Sequence, residues 1–199
     1  MNIVYSKNLG EAAQREIVVA GEQEVLATIF LFVDRLPKTV DLKIRLTGRG
    51  SKAEITILFV GRDRDNTEMN ITLVHEAPET YARVIVKAAL FDSARLAVRG
   101  MLDIRREAVG SDSYLLARAL LMSPKARAEI YPYLEIATDE VKASHGTSIG
   151  RIDERQLFYL ACRGIAEEEA KHLLLAEFFR DRAAGLPEDD RNKFFQRLS

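Results

Sequence analysis

The stretch Val40-Asp41-Leu42-Lys43-Ile44-Arg45-Leu46-Thr47 alternates strictly between apolar and polar side chains. In an extended chain, successive side chains point to opposite faces. Val40, Leu42, Ile44 and Leu46 therefore share one apolar face, and the charged residues share the other, which marks a half-buried strand. Gly48-Arg49-Gly50-Ser51 then turns the chain. The same period recurs downstream in Ile55, Ile57 and Phe59, then Met69, Ile71 and Leu73, then Val84, Val86 and Ala88, then Ala94, Leu96 and Val98. Upstream, Glu16–Ala20 and Val25–Val33 read as strands about the turn Gly21-Glu22-Gln23-Glu24. Met1–Gln14 is short and mixed, a first strand or a loose arm. Strand centres near Ile44, Ile57, Ile71, Val86 and Leu96 recur at about 10 to 15 residues, with Gly61, Asn66, Pro78, Asp92 and Gly100 as separators. This predicts an all-β body. Periodicity leaves sandwich, barrel and β-helix open, and no fixed repeat motif stands out.

Composition narrows the class. The 199 residues are 47% hydrophobic and 30% charged, ordinary for a globular chain. A net charge of −1 offers no basic surface, so no nucleic-acid partner is expected. One cysteine excludes an internal disulfide framework and suits a reducing compartment. No apolar run approaches the ~20 residues of a membrane span; Ala27–Val33 is closed by Asp34 and Arg35. Met1–Gly10 lacks a signal-peptide layout. A cytoplasmic protein without a membrane partner is expected.

Ser113–Met122 and Ala126–Ile136 extend the β pattern, although Leu115, Leu116, Ala119, Leu120 and Leu121 would suit a doubly buried strand or a helix. Val141–Gly164 reads Val-Lys-Ala-Ser-His-Gly-Thr-Ser-Ile-Gly-Arg-Ile-Asp-Glu-Arg-Gln-Leu-Phe-Tyr-Leu-Ala-Cys-Arg-Gly. Val141–Ser144 is a β-type run ending at His145, and Gly146–Gly150 is expected to turn. Asp153 opens a helix running to Cys162, with Gln156 completing a capping box and Ile152 and Leu157 a hydrophobic staple. Gly164 closes it with a left-handed cap. A second helix is expected over Glu167–Arg182, its apolar face holding Ala170, Leu173, Leu174 and Phe178, and its acidic start and basic end matching the helix dipole. Pro187 fits the first position of a third, with Phe194, Phe195 and Leu198 on its apolar side. The expected division is a β body over 1–150 and a helical region over 151–199.

Ser144-His145-Gly146, Gly150-Arg151-Ile152-Asp153-Glu154, Gln156-Leu157-Phe158-Tyr159-Leu160, Arg163-Gly164-Ile165 and Glu168-Glu169-Ala170 resemble the C-terminal signature of the SufB/SufD family. Leu134-Glu135-Ile136 and Asp139-Glu140-Val141-Lys142 also fit, and the match covers roughly Ser113–Phe179. That family supplies scaffold subunits for iron–sulfur cluster assembly, and its members are longer than this chain. The resemblance implies a right-handed parallel β-helix, with strands over 113–122, followed by a small helical region. It implies docking of a SufC-type ABC ATPase on the C-terminal helices, through Asp153, Gln156, Leu157, Phe158, Tyr159, Arg163 and Gly164. Phe158 and Tyr159 are either interface anchors or packing between helix and β body. It also implies pairing with another SufB/SufD-type subunit or with itself.

In SufD-type members the histidine of Ser-His-Gly is implicated in cluster assembly at the interface with SufB, which makes His145 a candidate metal ligand shared with a partner chain. Residues 1–161 hold no cysteine, and the place where SufB members carry their essential one falls near Ala117; Gly146 replaces their acidic residue. The chain is therefore SufD-like. It is expected to be non-catalytic and to bind no cofactor alone, a cluster arising only transiently at a subunit interface. Cys162 reads as a small buried hydrophobe, and His75 and His172 as surface or boundary residues. No zinc-protease helix, phosphate-binding loop or nucleophile elbow occurs. Asp41-Lys43-Arg45 and Arg62–Asp65 read as solvated faces, and strand-face acids such as Asp41 and Glu54 lack the pairing a glycosidase needs. The competing reading is a structural or binding homodimer that has lost assembly work.

Overall fold

The computed structural model describes residues 2–7, 12–33 and 36–198. Residues 1 and 8–11 of the expected N-terminal arm lie outside them. The strands are β1 (Asn2–Lys7), β2 (Ala12–Val19), β3 (Val25–Phe32), β4 (Thr39–Leu46), β5 (Lys52–Gly61) and β6 (Asn66–His75). They continue as β7 (Tyr81–Leu90), β8 (Arg95–Ile104), β9 (Asp112–Leu121), β10 (Arg127–Ile136) and β11 (Lys142–Gly150). Three helices follow: α1 (Glu154–Ala161), α2 (Glu167–Ala183) and α3 (Glu188–Gln196). Odd-numbered strands form a 6-stranded sheet in the order β1-β3-β5-β7-β9-β11, and even-numbered ones a 5-stranded sheet in the order β10-β8-β6-β4-β2. Each pairing is parallel. The chain thus alternates between two sheets and winds a parallel β-helix, which excludes the sandwich and barrel.

Parallel in-register winding stacks equivalent positions into columns. Ile17, Ile44, Leu73, Leu102 and Leu134 form one column. Thr28, Ile55, Val84, Leu115 and His145 form another on the opposite sheet. In the middle of the stack these side chains are buried in one continuous core, each Val, Leu or Ile contributing about 1.5–3 kcal/mol of burial. One line of corners repeats a left-handed residue at Gln23, Gly50, Glu79 and Gly110. Their N–H groups donate to the carbonyls of Arg49, Pro78, Val109 and Glu140 on the next turn, at 2.7–3.0 Å.

The outer faces of the two sheets differ. The even sheet keeps its alternation, with polar residues outward. On the odd sheet, α2 and α3 cover the outside and bury Ile29, Leu31, Leu58, Val60 and Ala89 against Leu175, Phe179, Ala183 and Phe194. Hence β5 and β7 end in unbroken buried runs. Lys87 crosses this seam, donating to the Phe178 carbonyl at 2.7 Å and pairing with Asp181. The Leu115–Leu121 stretch is strand β9.

Several expectations are corrected. Gly100 does not end a strand; it lies inside β8, where an added Cβ would come within 2.5 Å of Leu115 Cδ1. The glycine makes room for a large neighbour across the core. The buried face of α2 is Ala170, Leu175, Phe179 and Ala183, while Leu173 is exposed. His75 is not at the surface. It occupies the column of Leu46, Ile104 and Ile136 and is fully buried. Its Nδ1 meets Thr80 Oγ1 at 2.8 Å and its Nε2 meets Ser113 Oγ at 2.9 Å. Burial lowers its pKa from 6.5 to about 4, against a smaller opposing pull from Asp112.

Candidate functional site

The β-helix ends in an uncovered turn. β10 and β11 are the last strands of their sheets. Their core-facing positions, set by register with β8 and β9, are Ala128, Ile130, Pro132, Leu134 and Ile136, and Ala143, His145, Thr147 and Ile149. One turn earlier Leu102 is 1% exposed, whereas Leu134 is 40% exposed and Ile149 45%. Tyr131 and Tyr133 stand exposed on the other face of β10. This end therefore offers apolar core side chains and two strand edges with unpaired backbone groups, a template for another chain.

His145 sits within that end. The expected turn over Gly146–Gly150 is absent; β11 runs straight through to Gly150. The ladder with β9, pairing His145 with Leu115 and Gly146 with Leu116, overrides the local preference of the glycines. Gly146 serves close approach instead: a Cβ there would lie 2.8 Å from Tyr114 Oη and 3.0 Å from Leu116 Cδ1. His145 thus points along the core-facing side and is exposed, because no further turn covers it.

The second element is α1. Asp153 is its N-cap, but Oδ1 accepts from Arg155 N at 2.9 Å, and Gln156 N donates to the Asp153 main-chain carbonyl at 3.0 Å. The expected bond to Gln156 is replaced by one to its neighbour. At the far end Gly164 has φ +80°. Ile165 N bonds Leu160 O at 3.2 Å and Gly164 N bonds Ala161 O at 2.9 Å, a Schellman closure. Between the caps no residue of α1 is buried. Phe158 is 72% exposed and Tyr159 55%, so neither packs into the β body. Leu157 is half-buried, and Gln156 and Arg163 are exposed; the Arg163 guanidinium lies 4.5 Å from the Tyr159 ring centre. Cys162, at the C-cap of α1, is exposed, not buried as expected, because that helix buries none of its residues.

The predicted residues therefore fall into two places, His145 in the open end and the other seven on α1 and its caps. Sequence reasoning missed Tyr131, Tyr133 and Ile149, whose exposure depends on β10 and β11 being last in the stack. It also missed the buried cluster in which His75 meets Thr80 and Ser113, and Thr80 Oγ1 meets Ser111 Oγ at 2.7 Å; the phase of His75 with Met69, Ile71 and Leu73 was the available signal. Among the described residues no three His, Cys, Asp or Glu side chains group as a metal site. No helix among them is long and apolar enough to cross a membrane.

Residues 6–178 match the family model described as SUF system FeS cluster assembly, SufBD core domain. An iron–sulfur cluster assembly SufBD family protein of Mycobacterium leprae is 35% identical over 167 residues, covering 80% of this chain and 43% of that protein. One from Mycobacterium bovis is 32% identical over 143 residues, 71% of this chain and 17% of that protein. One from Mycobacterium tuberculosis is 35% identical over 144 residues, 68% of this chain and 36% of that protein. The chain spans less than half the length of each of these relatives.

Proposed function

Because the chain belongs to the SufBD family of iron–sulfur cluster assembly proteins, we propose that it is a non-catalytic scaffold subunit that docks a SufC-like ABC ATPase through its C-terminal helices. The observation that carries this is α1, a helix capped at both ends that buries none of its residues and holds Phe158 and Tyr159 in solvent. Exposed aromatics on a fixed helix are anchors of the type that dominate interfaces. Asp153 and Gly164 set the ends of that helix, and Gln156, Leu157 and Arg163 flank the aromatics. The open end of the β-helix pairs with a second SufB/SufD-type subunit or a second copy. Pairing covers the apolar residues of β10 and β11 and extends both sheets. It encloses His145, whose imidazole suits iron as a nitrogen ligand. One imidazole cannot hold a cluster, so the cluster in transit takes its remaining ligands from the partner. The setting is cytoplasmic, where free thiols and clusters persist.

The test is co-purification with the ABC ATPase. Phe158→Ala with Tyr159→Ala is expected to abolish it while the sheet signal in circular dichroism stays intact. Undiminished capture by the double variant rejects docking through α1.

The second reading, a structural or binding homodimer without assembly work, is favoured by the donor set. Clusters are held mainly by thiolates, and the single thiol, Cys162, lies at the C-cap of α1 rather than in the β body. Anaerobic reconstitution with iron and sulfide separates the two. A cluster formed only with the partner, and lost in His145→Ala, supports assembly work. Pairing without a cluster supports the homodimer.

A further inference from the structure

A cleft lies between the outer face of the odd sheet and the start of the helical region. This cleft, ≈ 380 Å³, is lined by Lys87 of β7, Arg118 and Leu120 of β9, the Arg151-Ile152-Asp153 linker, Gln156 of α1, and Leu174, Glu177, Phe178 and Asp181 of α2. Its formal charges balance, but their compensation does not. Asp181 pairs with Lys87 and with Arg182 at 3.1 Å. Glu177 pairs with Arg180 at 2.9 Å. Asp153 is engaged in capping Arg155 N at 2.9 Å. Glu177 and Asp181 therefore have cationic partners, of which Arg180 and Arg182 stand outside the cleft lining, while Asp153 is held by a backbone N–H.

Arg118 and Arg151 are left over. Among the described residues Arg118 reaches Ser148 Oγ at 3.4 Å and lies over the Phe178 ring, 5.9 Å from its centre. Arg151 reaches the Pro124 carbonyl at 3.5 Å. Neither makes an ion pair among the described residues. The buried Lys87 ammonium, paired with Asp181, lies 5.2 Å from the centre of the same Phe178 ring. The cleft thus joins an apolar floor of Leu120, Leu174 and Phe178 to two uncompensated guanidinium forks. Such forks match phosphate oxygens bidentately, and the volume lies in the range of small-molecule sites.

We propose that this cleft binds a small organic phosphate, its phosphate held by Arg118 and Arg151 and its apolar portion seated on Leu120, Leu174 and Phe178. Arg118 belongs to the sheet and Arg151 to the linker before α1, so the ligand ties the base of that helix to the β body. The proposal does not depend on what α1 docks.

Isothermal titration of the whole chain with phenyl phosphate, inorganic phosphate and phenol tests it. Phenyl phosphate is expected to bind once per chain, with inorganic phosphate weaker by about tenfold, or about 1.4 kcal/mol, and phenol silent. Arg118→Gln and Arg151→Gln should each weaken phenyl phosphate tenfold or more, and Arg64→Gln should leave it unchanged. Both arginines of the site are exposed, so the variants should keep their sheet signal. If either Gln variant loses it, Arg118→Lys and Arg151→Lys keep the charge without the fork and should weaken binding less than tenfold. No heat with phenyl phosphate at millimolar concentration overturns the proposal. So does phenol binding as tightly, or a double Gln variant with unchanged affinity.

Discussion

The middle turns of the β-helix and its last turn are built from the same kinds of residue in the same register, yet they end in opposite states. Leu102 and Leu134 are column neighbours, one sealed and the other open to solvent. Leu115 and His145 are neighbours in the other sheet, one sealed and the other exposed. Between the two leucines the difference lies in what stacks above, not in the side chain. A parallel β-helix turn is complete only when another covers it, so its end leaves core positions and strand edges open. α1 extends the contrast, since its fold is held by its caps and one neighbouring helix rather than by a core of its own.

The sharpest way to break this comparison is to truncate both leucines. Leu102→Ala should cost about 2–5 kcal/mol in denaturant unfolding. Leu134→Ala in dilute chain should cost less than about 1.5 kcal/mol, because water already reaches that side chain. The Leu134 cost should grow with protein concentration if pairing covers it. Equal losses in dilute chain would show that the last turn is as tightly packed as the rest.

The next effect is pH-dependent and belongs to the sealed turns. His75 titrates near 6.5 when unfolded and near 4 when folded. The unfolded chain therefore takes up the proton first as pH falls. The stabilisation is whole above about 6.5, declines between about 6.5 and 4, and is lost below, a change of roughly 3 kcal/mol. His75→Gln, which keeps polar atoms for Thr80 and Ser113, should flatten unfolding curves across that window. An unchanged slope in the variant would assign the pH response elsewhere.

Glycine substitutions carry the contrast to a smaller scale. Gly100→Ala meets Leu115 inside the stack and should cost about 1–3 kcal/mol. Gly150→Ala, with nothing within 4 Å of the new atom, should stay within about 0.5 kcal/mol. Thermal unfolding of both checks this, and comparable losses would mean the end of β11 is under a constraint its surroundings do not show.

These positions also show what was legible beforehand. Alternation such as Val40–Thr47 located strands correctly, because period 2 follows from backbone geometry alone. It was silent on parallel winding, which leaves the same alternation as a hairpin, and the SufB/SufD resemblance over roughly Ser113–Phe179 supplied that. Gly100 and Gly146 were read as breakers, although each is small because a large side chain from β9 lies against it. The α2 face was misjudged because Leu173-Leu174-Leu175 and Phe178-Phe179 offer apolar residues on two sides. Leu58, Val60 and Ala89 of the sheet select one side, and that packing is invisible in the helix sequence. The candidate site was half legible. α1 followed from its caps, whereas the open end follows from stacking order.

The smallest effect concerns α1 itself. Eight residues are too few for a stable isolated helix in water, where about 12–15 are marginal. With nothing buried, α1 must rest on its caps and on α2. Removing the Asp153 side chain leaves one terminal N–H without its partner, worth about 1 kcal/mol. Placing Ala at Gly164, where φ is +80°, costs about the same through backbone strain. Neither change touches the stacked core, so global unfolding should not move. In native-state hydrogen exchange, Asp153→Ala and Gly164→Ala should each speed α1 amides about fivefold, the rate equivalent of about 1 kcal/mol of local opening. Amides of β7 should keep their rates. If wild-type α1 amides prove as protected as those of β7, α1 opens only with the whole molecule and the distinction between sealed turns and exposed end fails at its last element.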